Sequence, residues 1–163
     1  MDAMGKIKEG QPAPDFELPD QSGQPVRLSS FHGRKVVLYF YPKANTPGCT
    51  TQACGIRDHE SEYEDLGAVV LGVSPDPVKA VKKFYEKQSL NYELLADEHH
   101  EVCEAYGVWV EKSMYGKTYM GAQRSTFVID EEGIVRKVIK KADPATHDEE
   151  VLGLLAELGS APA

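Results

Sequence analysis

Apolar positions along the chain fall into short unbroken runs separated by stretches of helical spacing. Val36-Val37-Leu38-Tyr39-Phe40-Tyr41 is a continuous β-branched and aromatic run, and Ala68-Val69-Val70-Leu71-Gly72-Val73-Ser74 is a second. Such runs suit strands buried on both faces of a sheet. Between them, residues 49–66 carry Ile56, Tyr63 and Leu66 at roughly helical spacing, with Gly67 as a stop, which predicts one helix. Ser74-Pro75-Asp76-Pro77 predicts a turn into a helix of about 77–88. A short strand over 92–95 and a short helix over 99–106, ended by Gly107, come next. Residues 124–130 read as a strand, turned by Glu131-Glu132-Gly133 into a partner over 134–139. The last helix, 147–158, puts Val151, Leu154, Leu155 and Leu158 on one face. Ahead of all of these, residues 11–30 hold two short apolar pieces, at Phe16 to Leu18 and Val26 to Leu28, among four prolines. They predict a small hairpin, followed by a turn or short helical element from Ser29 to Gly33.

The alternation of strand and helix, closed by a hairpin and a helix, predicts an α/β sandwich: a mixed central sheet flanked by helices. At 163 residues the chain is long enough for a sizeable core and is expected to be one domain over 1–163, its core at about 7–158 and its termini frayed, including the tail 159–163. No repeat or low-complexity segment interrupts it.

The net charge of −8 argues against nucleic acid or an anionic membrane surface as the main partner. It reads as a solvated acidic surface. The first six residues lack the apolar stretch of a secretory signal, and the runs at 36–41 and 68–73 are too short to cross a bilayer, so a cytoplasmic location is expected. Three cysteines in such a chain do not form a structural disulfide framework, and the odd count leaves at least one thiol free. Cys49, Cys54 and His59 on one helix would drift round it in five-residue steps and not converge on a metal, so no zinc site is expected.

Chemistry concentrates at Cys49. It follows the run ending at Pro42 and the turn-rich segment Lys43-Ala44-Asn45-Thr46-Pro47-Gly48, where the next helix should begin. Loops at the C-terminal ends of strands are where α/β sheets place their sites. A thiol at a helix N-terminus faces unpaired N–H groups and the positive end of the dipole, both of which favour thiolate. The flanks Pro47, Gly48 and Thr50 make a backbone turn and supply polar groups, where an inert cysteine would sit in an apolar pocket. Thr46 stands as the approximate N-cap, its hydroxyl within reach of first-turn N–H groups or of an oxygen held near the sulfur. Pro42 stiffens the strand exit and shapes a pocket wall. Arg124 opens the strand of 124–130, which would bring it to the same sheet edge as Cys49, where an arginine favours thiolate and binds oxygen.

Cys54 lies five residues beyond Cys49. On a regular helix that is a rise of about 7.5 Å and a turn of about 140°, whereas a disulfide needs Cα atoms within about 7 Å and converging Cβ vectors. If the two bond, the first turns must unwind. Cys103, between Glu101 and Glu104, reads as core, with a backup resolving role as the alternative. Tyr106 and Trp109 read as core residues that can also wall the thiol pocket.

The run Tyr41-Pro42-Lys43-Ala44-Asn45-Thr46-Pro47-Gly48-Cys49-Thr50 contains P-x3-T-x2-C and closely resembles the bacterioferritin comigratory, or Q-type, branch of the peroxiredoxins. Ala13-Pro14-Asp15-Phe16, Val73-Ser74-Pro75-Asp76 and Arg124-Ser125-Thr126-Phe127-Val128-Ile129-Asp130 are similar to that branch too, so the resemblance spans roughly 7–158. It implies a thioredoxin-like fold with an N-terminal hairpin. It also implies a peroxidase in which Cys49 attacks the O–O bond of a hydroperoxide, Thr46 and Arg124 hold the peroxide oxygens, and Pro42 shields the sulfenic acid. Cys54 matches the resolving cysteine many members carry, giving an intramolecular disulfide reduced by thioredoxin or a similar dithiol protein. No metal, haem or flavin is implied, and members with this arrangement are often monomers.

Two other readings stand beside this one. A thioredoxin-type disulfide oxidoreductase would use C-x-x-C and a proline just before the facing strand. Here the spacing is C-x4-C, and no proline lies between Pro77 and Pro144. A thiol redox sensor or holdase would share the whole site, and only turnover separates it from a peroxidase.

Overall fold

The computed structural model describes residues 7–44, 46–140, 143 and 146–159. Of the fraying expected of residues 1–6 and 159–163, Gly159 instead closes the last helix, and the rest lies outside the described residues. A small antiparallel hairpin of β1 (Glu17–Pro19) and β2 (Pro25–Arg27) opens the fold and leads into a 3-10 turn over Leu28–Phe31. The central sheet follows: β3 (Lys35–Phe40), β4 (Ala68–Ser74), β5 (Glu93–Ala96), β8 (Ser125–Ile129) and β9 (Val135–Ile139), in the order β5-β4-β3-β8-β9. β4 lies parallel to both β3 and β5, β8 runs antiparallel to β3, and β9 antiparallel to β8. The helices are α1 (Pro47–Asp58), α2 (Glu60–Asp65), α3 (Val78–Lys87), α4 (Glu101–Ala105) and α5 (His147–Gly159).

The period-two alternation of strand side chains divides the core. Val37, Tyr39 and Tyr41 point to one face, packed with Ala53 and Ile56 of α1, Tyr63 of α2, Val81 and Phe84 of α3, and Val151 and Leu155 of α5. Val36, Leu38 and Phe40 point to the other, packed with Phe16, Val102 and Cys103 of α4, Tyr106 and Phe127. The predicted sandwich with a mixed sheet and an N-terminal hairpin is what the chain forms. Gly72 is required where it stands, because a Cβ there would lie 2.8 Å from the Tyr39 ring.

Two elements differ from the sequence reading. The single helix predicted over 49–66 is broken at His59, which has φ −117° and ψ 19°. The His59 ring Nδ1–H donates to the Gly55 carbonyl at 2.9 Å, taking the acceptor its own backbone N–H would use in a continuous helix. That N–H turns to Ile56 O at 3.1 Å instead. The second difference is an unpredicted hairpin, β6 (Trp109–Met114) and β7 (Lys117–Ala122). Its strands are largely exposed and polar, so they lack the alternation that marks a half-buried strand. Its turn, Tyr115-Gly116, places both residues at positive φ, a mirror-image hairpin turn without the usual Asn or Asp.

Candidate active site

β3 ends at Phe40, and the chain crosses the sheet edge through Tyr41 and Pro42 before α1 starts at Pro47. Two bonds fix this crossing. Tyr41 N–H donates to Val73 O at 3.0 Å, and Ala44 N–H donates to the buried Asp76 carboxylate at 2.9 Å. Asp76 was not among the expected site residues, although Ser74-Pro75-Asp76-Pro77 reads as a turn and Val73-Ser74-Pro75-Asp76 carries part of the family resemblance. Its cue was a carboxylate at the end of a strand neighbouring the thiol loop.

Cys49 is the third residue of α1 and 1% exposed. Its surroundings are more apolar than its flanks suggested: it belongs to the core cluster with Tyr39, Tyr41, Ala44 and Ala53. Pro47, Gly48 and Thr50 are its neighbours in sequence, but the sheet face beneath decides what touches the sulfur.

Arg124 immediately precedes β8, and the pairing of β8 with β3 carries it to Cys49. Its Nη2 donates to Cys49 Sγ at 3.4 Å and its Nη1 to Gln52 Oε1 at 2.7 Å. The planar guanidinium thus uses two prongs, one on the sulfur and one on a buried amide. Gln52 is 1% exposed, and its Nε2 is without a hydrogen-bond partner among the described residues. The sequence reading missed Gln52. Its signal is position, since a residue three beyond Cys49 shares its helix face.

Thr46 is the N-cap of α1, as expected, but not through its side chain. Its carbonyl accepts the Thr50 N–H at 2.8 Å, while its hydroxyl donates backward to Lys43 O at 3.0 Å. The expected capping by the hydroxyl is therefore corrected: the hydroxyl makes no side-chain cap bond and is turned back onto Lys43 O. Pro42 and Thr46 line a groove of about 520 Å³ above this loop, together with Pro75, Trp109, Lys112 and Met120. Trp109 stacks flat on His100 at 4.0 Å and belongs to this wall, whereas Tyr106 is fully in the core. The missed hairpin supplies the far side of the groove. Lys112 reaches inward across Gly121, where a Cβ would meet its Cδ at 3.3 Å. Burial, then the Arg124 charge, pushes the Lys112 ammonium below its ordinary range, with Cys49 opposing.

Cys54 sits on the same unbroken α1, partly exposed, its thiol donating to Gln88 Oε1 at 3.4 Å. It is therefore held away from Cys49 by helix geometry. Cys103 is completely buried on the opposite face of the sheet. Burial, with the Asp97 carboxylate beside it, pushes its thiol far up. β3 and β4 stand between Cys103 and Cys49, so the structure sets Arg124 against Cys49, puts Pro42 and Thr46 on the groove over the loop that leads to α1, and leaves Cys103 out.

His147, the first residue of α5, is fully buried behind this site, its Nε2 2.6 Å from Thr126 Oγ1 and its ring tilted on Tyr39. Burial, aided by the Arg124 charge, lowers it to about 4 from an ordinary 6.5. The folded chain thus refuses a proton that the unfolded chain accepts as pH falls below about 6.5. Stability present above that pH is expected to be lost between about pH 6.5 and 4, by on the order of 3 kcal/mol. Urea unfolding of the parent and His147→Leu across this window checks it, since the variant should lose that part of the slope. Equal slopes would remove His147 as the cause.

The AhpC/TSA family model matches residues 9–138. Peroxiredoxin Bcp of Escherichia coli K12 is 49% identical over 154 residues, 94% of this chain and 99% of that protein. Peroxiredoxin Bcp of Bacillus subtilis is 47% identical, over 93% and 97% respectively. Among solved structures, the bacterioferritin comigratory protein of Xanthomonas campestris, described with its alkyl peroxide reduction activity, superposes with a TM-score of 0.87. It is 35% identical and the match covers 93% of this chain and 99% of that one.

Proposed function

The chain belongs to the AhpC/TSA family, as a peroxiredoxin of the bacterioferritin comigratory branch, and from that premise we propose a mechanism in which Cys49 is the attacking thiolate and Cys54 resolves it. The chain is a thiol-dependent peroxidase. The observation that carries the residue assignment is the Arg124 guanidinium, which spans Cys49 Sγ and Gln52 at the first turn of α1.

The thiolate of Cys49 attacks one oxygen of R–O–O–H. An S–O bond forms, the O–O bond breaks, and the released alkoxide or hydroxide takes a proton to become alcohol or water. Cys49 is left as a sulfenic acid. Nucleophilicity falls as a thiol becomes more acidic, so the rate must also come from stabilising the charge that moves onto oxygen. Arg124 and the α1 N–H groups are the donors at hand, and Thr46 lines the groove over the loop. Pro42 limits access to the sulfenic acid. The Cys54 sulfur then displaces water from the Cys49 sulfenic acid, forming an S–S bond. An external dithiol protein, of which thioredoxin is the expected one, returns both thiols by exchange. We place the protein in the cytoplasm as a monomer, in keeping with its resemblance to branch members of the same cysteine spacing. Among the described residues no helix is long and apolar enough to span a membrane. The redox-sensor alternative is not favoured, because the near relatives are named peroxiredoxins.

The test is a thiol count and intact mass after one equivalent of hydrogen peroxide. Rapid loss of two thiols, a mass lower by two hydrogens (about 2 Da, one S–S bond) and a bond mapped to Cys49 and Cys54 are expected. Cys54→Ser should keep the first oxidation, stop at the sulfenic acid or beyond, and lose turnover with thioredoxin. A bond mapped to Cys103, or no thiol loss, would overturn the assignment.

A further inference from the structure

Formation of the Cys49–Cys54 bond requires α1 to unwind, and the structure holds that helix down at one particular place. The segment that follows α3, residues 88–92, makes four side-chain or backbone bonds to the second half of α1. Gln88 Oε1 accepts the Cys54 thiol at 3.4 Å. Gln88 O accepts Arg57 Nη1–H at 2.6 Å. Asn91 Nδ2–H donates to Arg57 O at 3.2 Å. Tyr92 O–H donates to Ala53 O at 3.1 Å, one residue before Cys54.

The last of these bonds is buried and backed by a second. Tyr92 spends its only proton on Ala53, so the 2.8 Å contact between the Tyr39 and Tyr92 oxygens has Tyr39 as donor. Tyr39 lies on β3, in the centre of the sheet, and is 1% exposed. A continuous chain therefore runs from the central strand through Tyr39 and Tyr92 to the helix turn that carries Cys54. The segment itself is fixed by the end of α3: Ser89 has φ +51°, Ser89 N–H bonds Glu86 O at 3.2 Å, and Leu90 N–H bonds Tyr85 O at 3.0 Å.

We propose that residues 88–92 are a clamp on α1, with Gln88 and Tyr92 as positioning residues that restrain Cys54, so that release of the clamp sets the rate of disulfide formation without touching the peroxide step. The inference rests on the assignment of Cys54 as the resolving cysteine. The step it governs is balanced: the sulfenic S–O bond breaks, the S–S bond forms, and the hydroxyl leaves with the thiol proton as water. Gln88 only accepts a hydrogen bond from that thiol and gives it up when the turn unwinds. The clamp also sets the lifetime of the sulfenic acid, and with it the peroxide concentration at which sulfinic acid competes.

The experiment is rapid mixing of the reduced full-length protein with hydrogen peroxide, quenched with alkylating agent and read by mass, on the parent, Tyr92→Phe and Gln88→Ala. Tyr92→Phe removes one hydroxyl and should speed disulfide formation about fivefold, the equilibrium worth of one hydrogen bond. Gln88→Ala removes a weaker sulfur contact and should give about twofold. In both, the rate of sulfenic acid formation should stay at the parent value. Hydrogen exchange should quicken in the second half of α1 and stay unchanged in β3, which a general loss of stability would not produce. Unchanged disulfide rates in both variants would overturn the clamp while leaving the cysteine assignment intact. Slower rates would overturn it as well, by showing that the segment guides Cys54 toward Cys49. Absence of a Cys49–Cys54 bond in the parent would overturn the cysteine assignment and the clamp with it.

Discussion

Cys49→Ser is expected to reduce no peroxide above the uncatalysed background, with thioredoxin or a small dithiol as donor. A serine hydroxyl stays protonated at neutral pH, and its oxygen cannot accept the transferred oxygen as a sulfur does. The substitution is nearly isosteric at a site that is 1% exposed, so the fold should survive and thermal unfolding should be little changed. Loss of activity in a folded protein therefore isolates the sulfur. Retained steady-state turnover in Cys49→Ser would remove Cys49 from the mechanism.

Arg124→Ala carries the second largest expected effect. It removes the donor at 3.4 Å from Cys49 Sγ and strands Gln52 Oε1 in a buried position. Loss of one preorganised donor at a developing oxyanion costs about 10²–10³ in rate, and that is the fall expected in the second-order rate of sulfenic acid formation, measured by rapid mixing. Arg124→Lys should recover only part of it. A lysine keeps the charge but has no planar fork with which to hold sulfur and amide together. An unchanged rate in Arg124→Ala would leave the α1 N-terminus as the sole source of stabilisation.

Much of this was legible in the sequence. The two unbroken apolar runs became β3 and β4, because a strand buried on both faces tolerates only apolar side chains and so writes itself as a run. The site loop was legible because proline, glycine and threonine have restricted or special backbone roles, and because their spacing around Cys49 resembles one branch of one family. Arg124 was expected at the sheet edge of Cys49 and is found there, but most of what failed to show depends on which residues meet from far apart along the chain. The hairpin β6–β7 is stabilised mainly by its own pairing and is exposed, so it carries no alternation, yet it forms one wall of the groove and brings Lys112 to it. The break at His59 arises from a ring N–H competing for a single carbonyl, which no periodicity reveals.

By itself, then, the chain's sequence determined the layered α/β architecture and the location of the thiol at a helix start. Those follow from local backbone preference and from the apolar pattern, both of which act over a few residues. The tertiary structure decided which groups surround each thiol. The antiparallel pairing of β8 with β3 sets Arg124 against Cys49, the sheet separates Cys103 from it, and residues 88–92 grip Cys54. Each of these joins positions more than thirty residues apart, and only strand register and packing, which the whole fold fixes together, specify such contacts.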